Sequence, residues 1–222
     1  MSPRGLFITF EGSEGCGKTT QIRLLAGVLR ESGRKVLLVR EPGGTDSGEI
    51  IRHLLQHAPE GAALKPEAEL LLFAASRAQL VREVIVPALA AGQTVISDRF
   101  LDSTTVYQGV ARKVAAGATQ LINDFAAGDC LPDITFLLDL DRASALLRME
   151  ERSRDRIESE SEEFFDAVRT GYLALAEREK TRIRVIDASR SVQEIALDIT
   201  AHLAPLLADG ESVRLGNGIR TS

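Results

Sequence analysis

The sequence predicts an α/β fold, a parallel sheet of five strands with helices on both faces, and three observations predict it. Apolar, β-branched runs recur at 6–10 (LFITF), 35–39 (KVLLV), 94–97 (TVIS), 134–140 (ITFLLDL) and 183–187 (IRVID). They lack polar alternation, the pattern of strands buried on both faces. Helical periods lie between them, such as Ile22, Leu25, Val28 and Leu29 in the first and Val192, Ile195, Ile199, Leu203 and Leu206 in the last. Aromatics make up only 5% of the chain, without Trp, so packing rests on Leu, Ile, Val and Ala, a palette suited to helices laid on a sheet. Strand and helix in alternation imply parallel pairing with helical crossovers.

Each boundary has a local cause. The first strand meets Glu11 and a glycine-rich run, and Gly33 closes the helix that follows. EPGGT at 41–45 forms a loop after the second strand; Pro66 opens a long helix that Gly92 ends. Gly128 to Pro132 precede the fourth strand. Residues 150–163, EERSRDRIESESEE, are too polar to lie against a core, and a small lid is expected over about 148–162. A single domain is expected over 1–208, with 209–222, polar and rich in Gly, as a loose tail.

The 222 residues, 44% hydrophobic and 27% charged, suit one domain with a sizeable core. A net charge of −5 has the wrong sign for wrapping a nucleic-acid backbone, so an anionic ligand must meet a local cluster of Arg or Lys. Cys16 and Cys130 are too few for a disulfide framework. The first apolar run reaches Glu11 after five residues, too short for a signal peptide, and no later run is long enough to span a bilayer. A cytoplasmic protein without membrane or nucleic-acid partners is expected.

Residues 12–19, GSEGCGKT, match G-x-x-x-x-G-K-[ST] in full, between a strand and a helix. Gly12, Gly15 and Gly17 allow the backbone to turn its N–H groups onto phosphate oxygens, aided by the positive end of the helix. The run Gly12, Ser13, Glu14, Gly15, Cys16, Gly17, Lys18, Thr19 and Thr20 is therefore assigned to the phosphates of ATP. Lys18 supplies charge to the β- and γ-phosphates and Thr19 a hydroxyl to Mg²⁺. GTPases, motors and small-molecule kinases share this loop. No Asp has Gly three positions later and Asn-Lys-x-Asp is absent, which favours a kinase over a guanine-nucleotide switch.

Four strings, EGSEGCGKTT at 11–20, REPGGT at 40–45, DRFLDSTTVYQG at 98–109 and DRIE at 155–158, resemble those of bacterial thymidylate kinases in order and spacing, over about residues 6 to 190. The resemblance implies ATP-dependent phosphorylation of dTMP to dTDP. It implies that Arg99 touches both the acceptor phosphate and the γ-phosphate, and that Asp98 organises Mg²⁺. Phe73 and Arg77, four apart on one helical face, would stack on the thymine ring and donate to its O4. Thr104 would read the N3 edge, Tyr107 would press on the sugar, Arg52 would bind the acceptor phosphate and Glu14 would approach the 3′-hydroxyl. Glu41, Ser103 and Gln108 complete that acceptor site. Family members carry an essential arginine either in the phosphate loop or in the lid. This loop has none, so Arg152, Arg154 and Arg156 are the candidates to supply it. The family also forms homodimers.

Several alternatives stay open. Another pyrimidine nucleoside monophosphate kinase would share most of these residues, and a non-catalytic ATP-binding regulator would share the loop alone. His53 and His57 have the i,i+4 spacing of a helical zinc pair, but no Glu follows His53 and no third ligand is evident. Because the acceptor would be a phosphate oxygen, already anionic near neutral pH, no general base is assigned.

Overall fold

The computed structural model of the chain describes residues 4–148 and 155–216. Five strands, β1 (Phe7–Glu11), β2 (Val36–Arg40), β3 (Thr94–Asp98), β4 (Ile134–Asp139) and β5 (Ile183–Asp187), form one sheet in the order β2-β3-β1-β4-β5. Every neighbouring pair is parallel. The helices are α1 (Lys18–Glu31), α2 (Asp46–Gln56), α3 (Pro66–Leu80), α4 (Val86–Ala90), α5 (Leu101–Thr104), α6 (Ala116–Ala127), α7 (Arg142–Arg148), α8 (Glu162–Arg178) and α9 (Val192–Gly216).

The central strand β1 is buried along its whole length, whereas β2 and β5 are partly exposed. All five runs looked equally buried in sequence. Their position at the sheet edges, covered on fewer sides, is what exposes Leu38 and Val185.

Strand alternation sorts the side chains between two faces. Ile8 and Phe10 join Ile96, Phe136, Leu138 and Ile186 beneath α1 and α9, which contribute Ile22, Leu25, Ala26 and Leu29, and Ile195, Ile199 and Leu203. On the other face Phe7 and Val95 pack with Leu80, Ile85, Leu89 and Phe100. Leu137 and Ile183 pack there with Val106, Tyr107, Val168 and Tyr172. Thr9 and Glu11 share the parity of Phe7, so their polar groups enter the second layer and need partners there. Thr9 finds the Thr135 hydroxyl at 2.7 Å. Val28, counted from sequence on the buried stripe of α1, is half exposed, because the stripe is narrower than its period suggested.

Two helical runs widen into π-type turns, Val81–Ile85 between α3 and α4 and Thr105–Ala111 after α5. The second carries Tyr107 and Gln108. π-turns recur at functional sites because the extra residue re-aims neighbouring side chains. At the far end α9 runs to Gly216, so the tail expected from residue 209 begins inside a helix.

Leu203 is fully buried where α9 meets α1 and the sheet. Leu203→Ala is expected to lower stability by about 2–5 kcal/mol through lost burial and an unfilled cavity. Urea denaturation checks this, and a loss below about 0.5 kcal/mol, the range of ordinary surface changes, would show that α9 is not part of the core.

Candidate active site

The carboxyl ends of β1, β2 and β3 open onto one rim, where open parallel sheets place their ligands. From β1 the chain enters the glycine-rich loop. Gly12 has φ 131°, and a Cβ there would lie 2.5 Å from the Leu138 carbonyl oxygen of β4. Only glycine lets the loop lie so close to the sheet. Gly15 (φ 77°) and Gly17 (φ 96°) also take left-handed turns. Gly17 is the N-cap of α1 and brings no side chain to its first N–H groups, which leaves them for an anion. The Lys18 ammonium lies folded over the loop, donating to the carbonyls of Gly12 at 2.9 Å and Ser13 at 2.8 Å. Thr19 Oγ1 donates to Asp98 Oδ2 at 3.3 Å, so the two residues assigned to a metal stand side by side.

A cleft of about 570 Å³ runs from this loop, lined by residues 14–21 with Arg40, Arg52, His57, Asp98, Arg148, Arg190, Val192 and Ile195. A second, narrower cavity is lined by Pro42, Phe73, Arg77, Ser103, Thr104, Tyr107, Gln108 and Ile157. Glu14, Glu41, Gln56, Arg99 and Asp155 line both, so the two compartments meet there.

Arg99 stands at that junction. It leaves β3 in a left-handed conformation, φ 69°, with its N–H on the Phe10 carbonyl. Its guanidinium donates to Glu14 Oε1 at 2.6 Å, to Tyr107 Oη and Tyr172 Oη at 3.3 Å, and to Ser103 Oγ at 3.2 Å. Burial works against the charges of both partners, but Tyr107 and Glu14 hold the Arg99 guanidinium protonated, raised further from neutrality. For Glu14, burial raises the carboxyl and is outweighed by Arg99 and Lys18, which bring it below its ordinary value.

Of the residues assigned to an acceptor, Glu14, Glu41, Phe73, Arg77, Arg99, Ser103, Thr104, Tyr107 and Gln108 line the narrower cavity, with partners the sequence could not give, and Arg52 does not. Arg77 is 1% exposed and pairs with Glu41 at 2.7 Å. It also donates to Asn123 Oδ1 at 2.7 Å, Thr104 Oγ1 at 2.8 Å and the Phe100 carbonyl. It is a fixed wall of the cavity rather than a mobile surface charge. Glu41 Oε1 is buried without a hydrogen-bond partner among the described residues. Arg52 donates to the Pro42 carbonyl at 2.9 Å and faces the larger cleft. Phe73 is partly buried against the cluster around Tyr107 and Tyr172.

Of the lid arginines, Arg152 and Arg154 lie outside the described residues. Arg156 donates to the Leu55 carbonyl at 2.8 Å and pairs with buried Glu69 at 2.5 Å. Its charge is thus paired between α2 and α3.

Sequence reasoning missed Glu11. It is fully buried and accepts from the backbone N–H groups of Phe100 (2.8 Å) and Ser103 (3.3 Å) and from the hydroxyls of Ser103 (2.6 Å) and Tyr172 (2.7 Å). The signal available was a single acid ending an apolar strand. Burial, with Asp102 nearby, pushes its carboxyl up to about 7 against the opposing pull of Arg99 and the hydrogen bonds of Ser103 and Tyr172.

The folded carboxyl thus holds its proton to higher pH than the unfolded one, whose ordinary value is 4.5. Ionising it disfavours the fold. The penalty is absent below about pH 4.5, grows up to about pH 7 and is constant beyond. The stability of Glu11→Gln relative to wild type is therefore expected to rise by about 3 kcal/mol across that window. Urea melts of both proteins at pH 4.5 and 8 check this, and a difference that does not change with pH would refute it.

Comparison with known proteins accords with this geometry. The thymidylate kinase family model matches residues 10–199. A thymidylate kinase of Pelotomaculum thermopropionicum is 50% identical over 198 residues, covering 88% of this chain and 91% of the relative. One of Kosmotoga olearia is 47% identical over 191 residues, covering 86% and 91%. The crystal structure of thymidylate kinase from Ehrlichia chaffeensis superposes with a TM-score of 0.73 at 36% identity, covering 90% of this chain and 99% of that one. The two joined compartments, the phosphate loop and these likenesses lead to one conclusion: the chain belongs to the thymidylate kinase family.

Proposed function

We propose that the chain transfers the γ-phosphoryl group of ATP to dTMP, giving ADP and dTDP for dTTP synthesis. The observation that carries this reading is the meeting of the loop-lined cleft and the Phe73–Arg77–Gln108 cavity at Arg99 and Glu14. A binding module for ATP alone has no use for a second compartment, nor for a charged side chain at the seam.

The chemistry follows from charge and position. Loop N–H groups and Lys18 hold the β- and γ-phosphates in the larger cleft. Arg99 bridges the γ-phosphate and the acceptor phosphate, removing their repulsion and fixing an in-line approach. Arg52 holds the acceptor phosphate from the other side, and Phe73 and Tyr107 hold base and sugar. Thr19 and Asp98 offer hard oxygen donors on the cleft floor, the few-ligand setting that suits Mg²⁺ shared with phosphates. When bound, that ion neutralises charge on the β- and γ-oxygens. Glu14, held on Arg99 and Tyr107, is positioned to accept from the sugar 3′-hydroxyl. The acceptor phosphate is already anionic, so no residue need remove a proton.

The proposal extends to a cytoplasmic homodimer. Among the described residues no helix is long and apolar enough to cross a membrane. Leu71 on α3 and Leu121 and Phe125 on α6, two helices in mutual contact, leave apolar surface for a second copy.

A coupled assay of ADP release across a panel of nucleoside monophosphates tests the reading. dTMP is expected to be the preferred acceptor, and equal turnover with every monophosphate, or none with dTMP, would overturn it. Lys18→Ala is expected to lower turnover by about 100- to 1000-fold or more, the worth of one transition-state donor. Full activity in a folded Lys18→Ala protein would remove the loop from the reaction.

The lid supplies a second prediction. With Arg156 turned to Glu69, the charge lacking from the loop falls to Arg152 or Arg154. Replacing the responsible one with Ala is expected to lower kcat with little change in KM for dTMP, as for a contact made only in the transition state. An arginine finger is worth roughly 10³–10⁵ in rate, so even a partial equivalent is measurable. A double Arg152→Ala/Arg154→Ala protein with wild-type kcat would exclude both.

A further inference from the structure

Beneath the acceptor cavity lies a buried ionic cluster that the reaction scheme above leaves unused. Glu69, in the first turn of α3, is 2% exposed. Its Oε1 accepts from Gln108 Nε2 at 2.8 Å and Arg112 Nε at 3.3 Å, and its Oε2 from Arg156 Nη2 at 2.5 Å. Arg112 is fixed in turn by Glu160 at 2.5 Å and by the Phe164 ring, 4.8 Å from its guanidinium carbon. Two segments distant in sequence therefore converge on one carboxylate of α3: the π-turn after α5 with the residue that ends it, and the stretch at 155–160.

The cluster decides the protonation of Glu69. Burial alone raises its carboxyl, but hydrogen bonds from Gln108 and Arg156 and the charges of Arg112 and Arg156 outweigh burial and bring it below the ordinary value. An ionised carboxylate can only accept hydrogen bonds. The Gln108 amide must then turn its NH₂ toward Glu69, because the flipped amide would set oxygen against oxygen. Gln108 also lines the acceptor cavity, beside Phe73, Arg77 and Thr104. With Nε2 held by Glu69, the amide atom left for a ligand is the acceptor Oε1.

We propose that Glu69 is a positioning residue for base selection, locking the Gln108 amide so that its carbonyl oxygen faces the acceptor ring. A carbonyl in that place accepts from a ring N–H. Thymine and uracil carry hydrogen on N3, whereas cytosine presents a bare N3 acceptor that would oppose Gln108 Oε1. A site built to hydrogen-bond one ring pattern discriminates strongly against the other, because its buried polar atom is otherwise left unpaired. The inference rests on the proposed phosphorylation of dTMP and adds to it the side chain that enforces the choice between imide and amidine rings. Arg112 and Arg156 act one step further back, by keeping Glu69 ionised.

The test is a double-mutant cycle on wild type, Glu69→Gln, Gln108→Leu and the double variant, with kcat/KM measured for dTMP and dCMP and KM for ATP. A neutral Gln at 69 can donate or accept, so the Gln108 amide is no longer held in one orientation. Glu69→Gln is expected to lower kcat/KM for dTMP about tenfold and to narrow the dTMP/dCMP ratio at least as much, with KM for ATP unmoved. In the Gln108→Leu background the same change is expected to do almost nothing. An unchanged ratio in folded Glu69→Gln, or a full-sized effect in the Gln108→Leu background, would overturn the proposal. Wild type that turns over dCMP but not dTMP would instead overturn the reading of the reaction and the inference with it. Should Glu69→Gln not fold, the side-chain amide signal of Gln108 in ¹⁵N NMR of wild type, identified by its loss in Gln108→Leu, decides the matter. Slowed exchange of its hydrogens supports the lock, and exchange as fast as in a free glutamine side chain overturns it.

Discussion

The site depends on how β3 ends. Arg99 takes a left-handed backbone conformation that costs a residue bearing a side chain about 1–3 kcal/mol, and such a conformation persists only where its surroundings over-determine it. They do so from both sides. The Phe10 carbonyl holds the Arg99 N–H, and Glu11, the next residue of β1, holds the N–H groups of Phe100 and Ser103. Neighbouring strands thus bend the chain sharply after Asp98, leaving Asp98 toward the loop and turning Arg99 over the seam. The hydroxyls of Ser103 and Tyr172, which contact Arg99 from one side, are themselves held by Glu11. A single buried carboxylate supports both the turn and the side chain that the turn presents.

The polar layer above the sheet extends this logic outward. Arg77 with Glu41, Arg182 with Asp102, and Arg112 and Arg156 with Glu69 each set a charge against a carboxylate that is 5% exposed or less. Pairs of this kind contribute little net stability compared with apolar packing, and removing one partner is severe. Their value near the site is geometric: Arg77 and Glu41 line the narrower cavity and hold each other in place, and Glu69 holds Gln108, which lines it too. The opposite face of the sheet is almost wholly apolar. Both faces thus carry apolar core, and the second adds to it the charged pairs that shape what is bound.

Much of this was legible in the sequence because it rests on local periodicity and on motifs whose spacing is fixed by backbone chemistry. The five strands, the loop at 12–19 and the long α3 follow from apolar runs and from Gly and Pro positions. The proximity of Thr19 to Asp98 and of Phe73 to Thr104 needed the resemblance as well, since residues far apart in sequence meet only through the strand order. Glu11, Glu69, Asn123 and Tyr172 escaped notice for a different reason. A buried acid or a phenol on a helix looks like any other until its partners are known, and those partners come from distant segments. The exposure of the edge strands was invisible for the same reason, because order in the sheet is not order in the chain. Arg156 shows the limit of a motif: its place in DRIE was plain, but the direction of its side chain was set by Glu69, 87 positions earlier.

The wall of the larger cleft is shared between segments far apart in the chain. Gln21, just after the loop, donates to the Val192 carbonyl at 2.9 Å across a separation of 171 residues, and Val192 and Ile195 line the cleft opposite residues 14–20. Closing so long a loop of chain carries an entropic cost that grows only slowly with length but is large in sum. A nucleotide seated between the phosphate loop and the start of α9 touches both sides of that closure. By mass action it then favours the closed chain, by about 2.7 kcal/mol at a concentration one hundred times its dissociation constant. On the proposed reading, the docking of α9 and the filling of this cleft become two halves of one equilibrium, so a donor nucleotide bound there would serve the fold as a reversible tie as well as the reaction as a reagent.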